Sequence, residues 1–323
     1  MRNMPDNQRY DEGVLRIILG TEHFDANEGM FFARSLEYIK SKTYDVKRVS
    51  LNALTLMPVS TEIPEGATTH TYRQYDSVGM AKIIANYATD MPRADVTGKE
   101  FTSVIRSIGN SYGYNVQEIR SALFAGVDLN GRKAMATTRG QQELMNRLAF
   151  SGDTQYGIPG FLGNANVPEV TLAADGTGST KTFSTKTPLQ IVRDVNALIN
   201  TIVIQSKGIH RATEVWLPIA QYALMSTTQN SAASDTTILE FLQKNHPGVT
   251  FRQVVEMQGA GASATDRMYA LENNSENWQL EIPMMIRQYP PQQQGLEFVV
   301  PVESRFAGVC IPYPLAFAFA DGI

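Results

Sequence analysis

The histidines and the cysteine are the residues of this chain whose side chains most readily do chemistry. No two of the 4 histidines have the spacing of a zinc-binding pair, and no HExxH pattern occurs. A single cysteine can form neither an internal disulfide nor a multi-cysteine zinc site. Cys310 lies in an apolar run, which favours a buried small side chain over a nucleophile. The sequence therefore predicts no metal site, no cofactor and no catalytic residue.

Two further patterns resemble active-site motifs. The carboxylates of Asp90, Asp95 and Glu100 could converge in a hydrolase site, although such spacing is common by chance. The glycine-rich run Gly259–Thr265 lacks the lysine that a phosphate-binding loop requires, and the flanking residues predict strands rather than a helix. We interpret this run as a hairpin tip, and hydrolysis stays a remote alternative function.

Composition limits the class of protein. A hydrophobic share of 43% argues against disorder, and 24 glycines with 15 prolines argue against a coiled coil. The net charge of −4 is unlike the basic surface of a sequence-specific DNA-binding protein. The length of 323 residues predicts about two domains. No signal peptide and no apolar stretch of membrane-spanning length occur, so we expect a soluble protein made in a reducing cytoplasm.

A β-hairpin is predicted within residues 60–96. Two strand-like runs, Thr68–Tyr75 and Met80–Tyr87, flank a short turn around Asp76–Gly79. Neither run has a purely apolar face, and an isolated two-stranded hairpin is only marginally stable in water. We therefore expect the hairpin either to pack on its own domain or to be ordered by another subunit.

The other predicted elements form an α+β mixture without regular βαβ alternation. Helical periodicity covers residues 25–42, Val116–Ala125 and Asn130–Ser151, and the last of these carries the apolar edge Leu144, Met145, Leu148 and Ala149. Another helix begins at Pro188. Strands are predicted over Val46–Val59, Ser103–Ser111, Thr213–Leu217, Thr250–Met257, Arg267–Glu272, Gln279–Met285, Leu296–Ser304 and Gly308–Phe319.

Several long strings of residues carry a family resemblance. They are MFFARSLEYIKSKTYDVK, TYRQYDSVGMAKIIANYATDMPRADV, SYGYNVQEIRSA and the ending LEFVVPVESR…YPLAFAFADGI. In these strings the chain resembles the major capsid proteins of tailed bacteriophages, and most closely a phage and prophage subfamily first catalogued as a domain of unknown function. The resemblance extends from about Phe24 to Ile323.

The resemblance implies the Hong Kong 97-type capsid fold, which is α+β. That fold has an N-terminal arm, an extended β-hairpin loop, a peripheral domain with a long spine helix, and an axial domain. On this chain the implied boundaries are residues 1–59 for the arm and its helix, 60–96 for the extended loop, 97–185 for the peripheral domain with its spine helix at 130–151, 186–295 for the axial domain, and 296–323 for C-terminal strands that return to the peripheral domain.

The resemblance also implies a structural protein and not an enzyme. Its subunits are expected to self-assemble into pentamers and hexamers of an icosahedral shell that encloses double-stranded DNA. The implied location is the virion, after synthesis and assembly in the cytoplasm of a bacterial host. A portal and a separate scaffolding protein are the expected partners. An encapsulin-type shell around enzyme cargo is the alternative within the same fold.

Two sets of residues are candidates for assembly contacts under this interpretation. The hairpin set is expected to touch other subunits: Tyr72, Arg73, Tyr75, Lys82, Ile83 and Ile84. Lys82 resembles in position a hairpin lysine that forms isopeptide crosslinks in a few family members, but we expect no crosslink here. The second set is the basic side of the spine helix, which would face the DNA and make weak, salt-sensitive contacts: Arg132, Lys133, Arg139 and Arg147.

Overall fold

The computed structural model describes residues 47–78, 95–126, 129–231 and 235–323. The predicted arm helix at 25–42 and the predicted strand Met80–Tyr87 lie outside these residues. Within the described ranges the architecture is α+β, as predicted, and strands do not alternate regularly with helices.

Six α-helices are described, and three of them begin with a capping box. Asn115 and Thr187 each form a capping box with the residue three positions later, and Pro188 occupies the first helical position after Thr187. The helices are α1 (Ala53–Leu56), α2 (Val116–Ala125), α3 (Leu129–Ser151), α4 (Pro188–Gln205), α5 (Ile219–Thr227) and α6 (Ile238–Asn245).

The described strands form four sheets. The strands are β1 (Val59–Ser60), β2 (Thr69–Val78), β3 (Asp95–Val104), β4 (Arg106–Asn115), β5 (Glu214–Leu217), β6 (Thr250–Gln253), β7 (Arg267–Leu271), β8 (Gln279–Glu281), β9 (Met284–Gln288), β10 (Gln292–Gln294), β11 (Glu297–Phe306), β12 (Gly308–Cys310) and β13 (Phe317–Asp321). The sheet orders are β1-β8-β12, β10-β11-β4 with β9 also on β11, β13-β7-β5-β6, and β2-β3.

The sheet β13-β7-β5-β6 separates two hydrophobic cores. Side chains alternate across a strand, so Trp216 and Tyr269 face a first core that also holds part of α3. Val215 and Ala270, one residue away, face a second core beneath α4, α5 and α6. The first core is centred on Phe161, whose ring lies 4.5–5.9 Å from the rings of Tyr269, Trp278, Trp216 and Phe317. One sheet thus connects the two halves of Ser50–Ile323.

The long helix α3 is continuous through Gly140 and begins one residue before its predicted start. Met145 and Leu148 are buried in the first core, as the predicted apolar edge requires. Nε2 of the buried Gln141 donates a 2.8 Å hydrogen bond to the carbonyl of Val302 in β11. The helix is therefore fixed both to the core and to the sheet that contains β4 and β11.

The predicted strand Val46–Val59 is wrong in its central part. Residues Ala53–Leu56 form the short helix α1, and within the described part of this range, from residue 47 on, only Val59–Ser60 is a strand. Ala53 and Met57 are buried four residues apart, which is helical spacing. The amide of Ala53 also donates a 2.8 Å hydrogen bond to Asn146 Oδ1 on α3, which fixes the helical turn.

The predicted pairing within the hairpin is also wrong. The strand β2 continues through Asp76 to Val78, so the predicted turn at Asp76–Gly79 does not form. Its partner is β3, in antiparallel register from Thr69↔Val104 to Val78↔Asp95. Local residue types predict strands but not their partners, and a more distant segment pairs here. The returning strand therefore ends at Val104, beyond the predicted limit of the loop at residue 96.

Strand pairing crosses the C-terminal boundaries that the resemblance implies. Strands β8 and β9, within the expected axial range of 186–295, pair with β1, β11 and β12 instead. The last strand, β13, pairs with β7 and so does not return with β11. The predicted strand Gly308–Phe319 is interrupted, because Pro314 begins a 3₁₀ turn between β12 and β13.

None of the helices in the described ranges combines the length and the apolar character needed to cross a bilayer.

Candidate functional site

The strands β2 and β3 form a two-stranded ribbon that projects as a separate sheet. They pair with each other over ten residues and with no other described strand. Residues Asp95–Thr102 of β3 are exposed throughout. At the root, the amide of the buried Ile105 donates a 2.9 Å hydrogen bond to the carbonyl of Thr68. The ribbon is thus anchored at one end and exposed along most of its length.

One face of the ribbon turns toward the body of the subunit. Tyr72 and Phe101 are paired residues on this face, and their rings stack with centroids 5.0 Å apart. Both rings line a cavity of about 450 Å³, whose opposite wall includes Pro159, Cys310 and Ile311. The inner face therefore carries the aromatic pair and leaves a gap above the body.

The other face of the ribbon points away from that cavity. Arg73 Nε donates a 2.8 Å hydrogen bond to Glu100 Oε1 across the strands, and both side chains are largely exposed. The side chain of Tyr75 is 67% exposed and lies against Gly98, the residue opposite it. An outer face with an exposed aromatic ring and an exposed ion pair suits a contact with a separate molecule.

The predicted hairpin contacts are thus divided between the two faces. Tyr72 lies on the inner face, and Arg73 and Tyr75 lie on the outer face because they differ from it by odd numbers of residues. The remaining candidates, Lys82 and the pair Ile83 and Ile84, lie outside the described residues. Sequence reasoning did not find Phe101, since the pairing that places it opposite Tyr72 is not local.

The ionisable groups under the ribbon favour their neutral forms. Burial raises the pKa of the Cys310 thiol to about 12, and the neighbouring carboxylate of Glu281 adds to the effect. Burial, and secondarily Cys310, raises the pKa of the Tyr72 hydroxyl. A thiol in this state is a poor nucleophile. Cys310 therefore acts as a small packing residue, in keeping with its apolar sequence context.

The basic candidates on α3 do not form one uniform group. At 3.6 residues per turn, Arg132, Arg139 and Arg147 lie within about 80° of one another, opposite the buried side of the helix. Arg139 Nε is 2.9 Å from Glu143 Oε1 one turn later. Lys133 Nζ donates to the Gly113 carbonyl and to Glu118, at 2.8 and 2.9 Å. Lys133 therefore binds groups of its own subunit. Among the three arginines of the basic strip, Arg132 and Arg147 are exposed, and Arg139 is half-buried and paired with Glu143.

The carboxylates considered for hydrolysis do not converge. Asp95 and Glu100 are five residues apart on β3, so their side chains lie on opposite faces of the ribbon. Glu100 is paired with Arg73, and Asp90 lies outside the described residues. Across the described ranges no three His, Cys, Asp or Glu side chains are grouped as metal ligands. The structure thus provides no support for the hydrolase alternative.

Helix α2 carries a surface that the sequence analysis missed. No residue of this helix is buried, and Leu123 and Phe124 are 77% and 97% exposed. Leu296, in the turn beside the start of the helix, is 69% exposed. The sequence signal was weak, because Ile119, Ala122 and Leu123 have the spacing of an ordinary core-facing stripe.

Comparisons with known proteins identify the fold and the family. The sequence profile of the family described as "Major capsid protein" matches residues 79–323. The capsid of Myoviridae phage XM1 superposes with a TM-score of 0.78 at 19% identity, covering 91% of this chain and 99% of that one. The capsid of an empty GTA particle gives 0.62 at 10% identity, covering 93% and 99%. A structure from Mycobacterium phage Bobi gives 0.61 at 10% identity, covering 90% and 96%.

No curated protein matches the chain. At identities of 10–19%, the structural similarities establish the fold, and they confirm the capsid fold that the sequence resemblance implies.

Proposed function

The chain belongs to the family of major capsid proteins, and from this premise we propose that it builds a closed icosahedral shell from pentamers and hexamers. The proposed shell encloses double-stranded DNA. The subunit contributes surfaces for self-association and, on this proposal, no catalytic group.

The observation that supports self-assembly most directly is the ribbon of β2 and β3. It is a two-stranded sheet with no third described strand, and its outer face exposes Tyr75 and the Arg73–Glu100 pair. A two-stranded ribbon alone is marginally stable in water, and packing against a further surface stabilises it. A neighbouring subunit would provide that surface. Contacts between two different patches, repeated around an axis, close into rings such as pentamers and hexamers.

The basic strip on α3 supports the proposed contact with DNA. Arg132, Arg139 and Arg147 share one side of a helix whose other side is buried. Exposed arginines on this side can neutralise a few phosphates, which gives weak binding that falls with rising salt and reads no sequence. The overall charge of −4 keeps such binding weak, and weak binding is compatible with releasing a packaged genome.

Electron microscopy of the expressed full chain tests the shell. We expect closed particles from the wild-type chain, and open or absent particles from a variant with a shortened ribbon. The structure suggests removing residues 73–100 and joining Tyr72 to Phe101 through Asn-Gly, a favoured two-residue hairpin turn. This variant keeps the root pairing and the Tyr72–Phe101 stack, so the subunit should fold and melt close to the wild-type temperature.

A matched pair of point variants separates the two faces of the ribbon. Tyr75→Ala removes the exposed ring of the outer face, and Gln74→Ala changes the adjacent residue of the inner face. We expect Tyr75→Ala to lower the yield of particles and Gln74→Ala to leave it near the wild-type value. Normal particles from the shortened-ribbon variant would contradict the proposal.

The contact with DNA is tested by salt dependence. Changing Arg132, Arg139 and Arg147 together to Gln should leave the subunit folded and reduce DNA binding. The slope of log affinity against log salt should fall by up to about one for each arginine lost. Arg211→Gln, at an exposed arginine away from α3, is the control and should not change the slope. An unchanged slope for the triple variant would remove the strip from the proposal.

A further inference from the structure

Helix α2 is formed and capped, yet none of its residues is fully buried. Asn115 and Glu118 form a capping box at its start, and Gly126 in the left-handed region, at φ 67°, ends it. Phe124 is 97% exposed and Leu123 is 77% exposed, both in the last turn. Large apolar side chains exposed side by side on a regular element are typical of a contact surface.

The attachment of α2 to its own subunit is limited. Glu118 forms a 2.9 Å ion pair with Lys133 of α3, and the amide of Val116 donates a 3.1 Å hydrogen bond to the carbonyl of Leu296. Both ties hold the first half of the helix. A ten-residue helix is short for stability in water, and packing of an apolar face is what usually stabilises such a helix. Val116, Ile119 and Ala122 are half-buried. Leu123 and Phe124, in the last turn, lack that packing.

An acceptor for this apolar end lies in the turn beside the start of the same helix. The side chain of Leu296 is 69% exposed, next to the exposed carboxylate of Glu297. On α2, Arg120 is exposed, one turn before Phe124. Neither Arg120 nor Glu297 forms an ion pair with another described residue. The helix thus presents an apolar end with a positive charge, and the turn presents an apolar residue with a negative charge.

The apolar end of α2 is separated from the turn at Leu296 of its own chain. The backbone hydrogen bond of Val116 fixes the start of the helix at Leu296. At 1.5 Å per residue, Leu123 then lies about 10 Å further along the helix axis. The apolar end of α2 therefore points away from its own turn and is free to reach the turn of another molecule.

We infer that the end of α2, through Leu123, Phe124 and Arg120, docks onto the turn at Leu296 and Glu297 of a second copy of this chain. The inference rests on the proposed function and names a second contact of the shell, separate from the ribbon. The contact joins two different patches, so each copy gives its helix to one neighbour and its turn to another. Repetition of such a heterologous contact closes a ring of copies.

Disulfide trapping tests the contact. Phe124→Cys and Leu296→Cys are combined in a Cys310→Ser background, and assembled particles are oxidised and run on a non-reducing denaturing gel. We expect covalent oligomers that end in a closed species. The variants with only one of the two new cysteines are the controls and should remain monomeric.

Charge exchange provides a readout that does not depend on cysteine chemistry. Arg120→Glu places two carboxylates at the contact and should lower the yield of particles about tenfold, because like charges across an interface are strongly unfavourable. Adding Glu297→Arg restores opposite charges and should return most of the yield. A melting temperature unchanged by either substitution separates this effect from misfolding.

The outcomes distinguish the inference from the proposed function. If the wild-type chain forms particles but the double-cysteine variant gives no covalent oligomers, or gives a disulfide within one chain, the docking of α2 is overturned and the proposed shell is not. Dimers from Phe124→Cys alone would also overturn it, since they require two helices to meet. A wild-type chain that forms no particles under any condition overturns both proposals.

Discussion

Val215 and Trp216 are neighbours in β5, but their side chains belong to two different hydrophobic cores. Val215 packs beneath α4 and α6, and Trp216 packs against Phe161 in the core that includes α3. Both cores therefore use the same strand. If β5 left the sheet as one core unfolded, the side chains of the other core would become exposed. We expect the two halves of Ser50–Ile323 to unfold together.

Denaturation with two probes checks this coupling. Both tryptophans of the chain, Trp216 and Trp278, lie in the first core, with ring centroids 5.9 Å apart, so fluorescence reports that core. Far-UV circular dichroism reports all helices. Leu198→Ala, in the second core, should lower the midpoint seen by both probes equally, with a cost of about 2–5 kcal/mol. A shift in circular dichroism with unchanged fluorescence would show that the halves unfold independently.

The buried side of α3 should determine the stability of the first core. Leu148 is 4% exposed, so Leu148→Ala should lower the free energy of unfolding by about 2–5 kcal/mol. Leu123→Ala makes the same chemical change at a residue that is 77% exposed, and should change the free energy by less than about 0.5 kcal/mol. Urea denaturation of the unassembled subunit measures both. Equal effects would contradict the burial of this side of the helix.

The sequence predicted helices well where their ends carry local signals. The prediction for Val116–Ala125 agrees with α2, since Asn115 and Gly126 mark both ends, and Pro188 marks the start of α4. Strand partners were not predictable, because the pairing of β2 with β3 depends on residues separated along the chain. The basic side of α3 stays a prediction. That Lys133 binds Gly113 and Glu118 instead could be learned only from the fold. The exposure of Phe124 likewise could not be predicted from local sequence.

Gly160 should tolerate no side chain, because its backbone packs against the backbone of Gly152. A Cβ at Gly160 would overlap the backbone nitrogen of Gly152. The nearest atoms all belong to the backbone, so no side chain can rotate away to relieve the overlap. The next residue is Phe161, whose amide donates a 2.8 Å hydrogen bond to the carbonyl of Ala149. Gly160→Ala should therefore displace Phe161 and cost about 1–3 kcal/mol.

The control for this change is Gly248→Ala. A Cβ at Gly248 meets no atom within 4 Å, and the backbone there is not left-handed, so alanine should be neutral or slightly stabilising. Thermal melting followed by circular dichroism compares the two variants. A melting temperature for Gly160→Ala that equals that of Gly248→Ala would contradict the close approach of the two backbone segments.

Stability should fall as pH drops below neutrality, in part through His246. Burial lowers the pKa of this imidazole below its ordinary value of 6.5, so the unfolded chain binds the proton more readily than the folded one. The contribution of His246 is complete above pH 6.5 and is lost as the pH falls toward the lower folded pKa. In the wild-type chain, Nε2 of His246 lies 2.8 Å from Asn196 Oδ1. The His246→Gln side chain can still donate to this oxygen but does not titrate, so the stability of this variant should depend less on pH. Melting temperatures of both proteins between pH 7.5 and 5.5, in about half-unit steps, measure the difference.

The thiol of Cys310 should react slowly, and its reactivity should report on the ribbon above it. A pKa raised from 9.0 to about 12 leaves on the order of 10³-fold less thiolate at pH 8 than an ordinary cysteine has. The labelling rate should therefore keep rising with pH beyond 9, where that of glutathione levels off. Tyr72 and Phe101 roof the cavity that Cys310 lines, so Tyr72→Ala should admit reagent and solvent and speed labelling at constant pH. Tyr75→Ala, on the opposite face of the same strand, should leave the rate unchanged. Equal acceleration by both variants would mean that the ribbon as a whole, and not its inner face, shields the thiol.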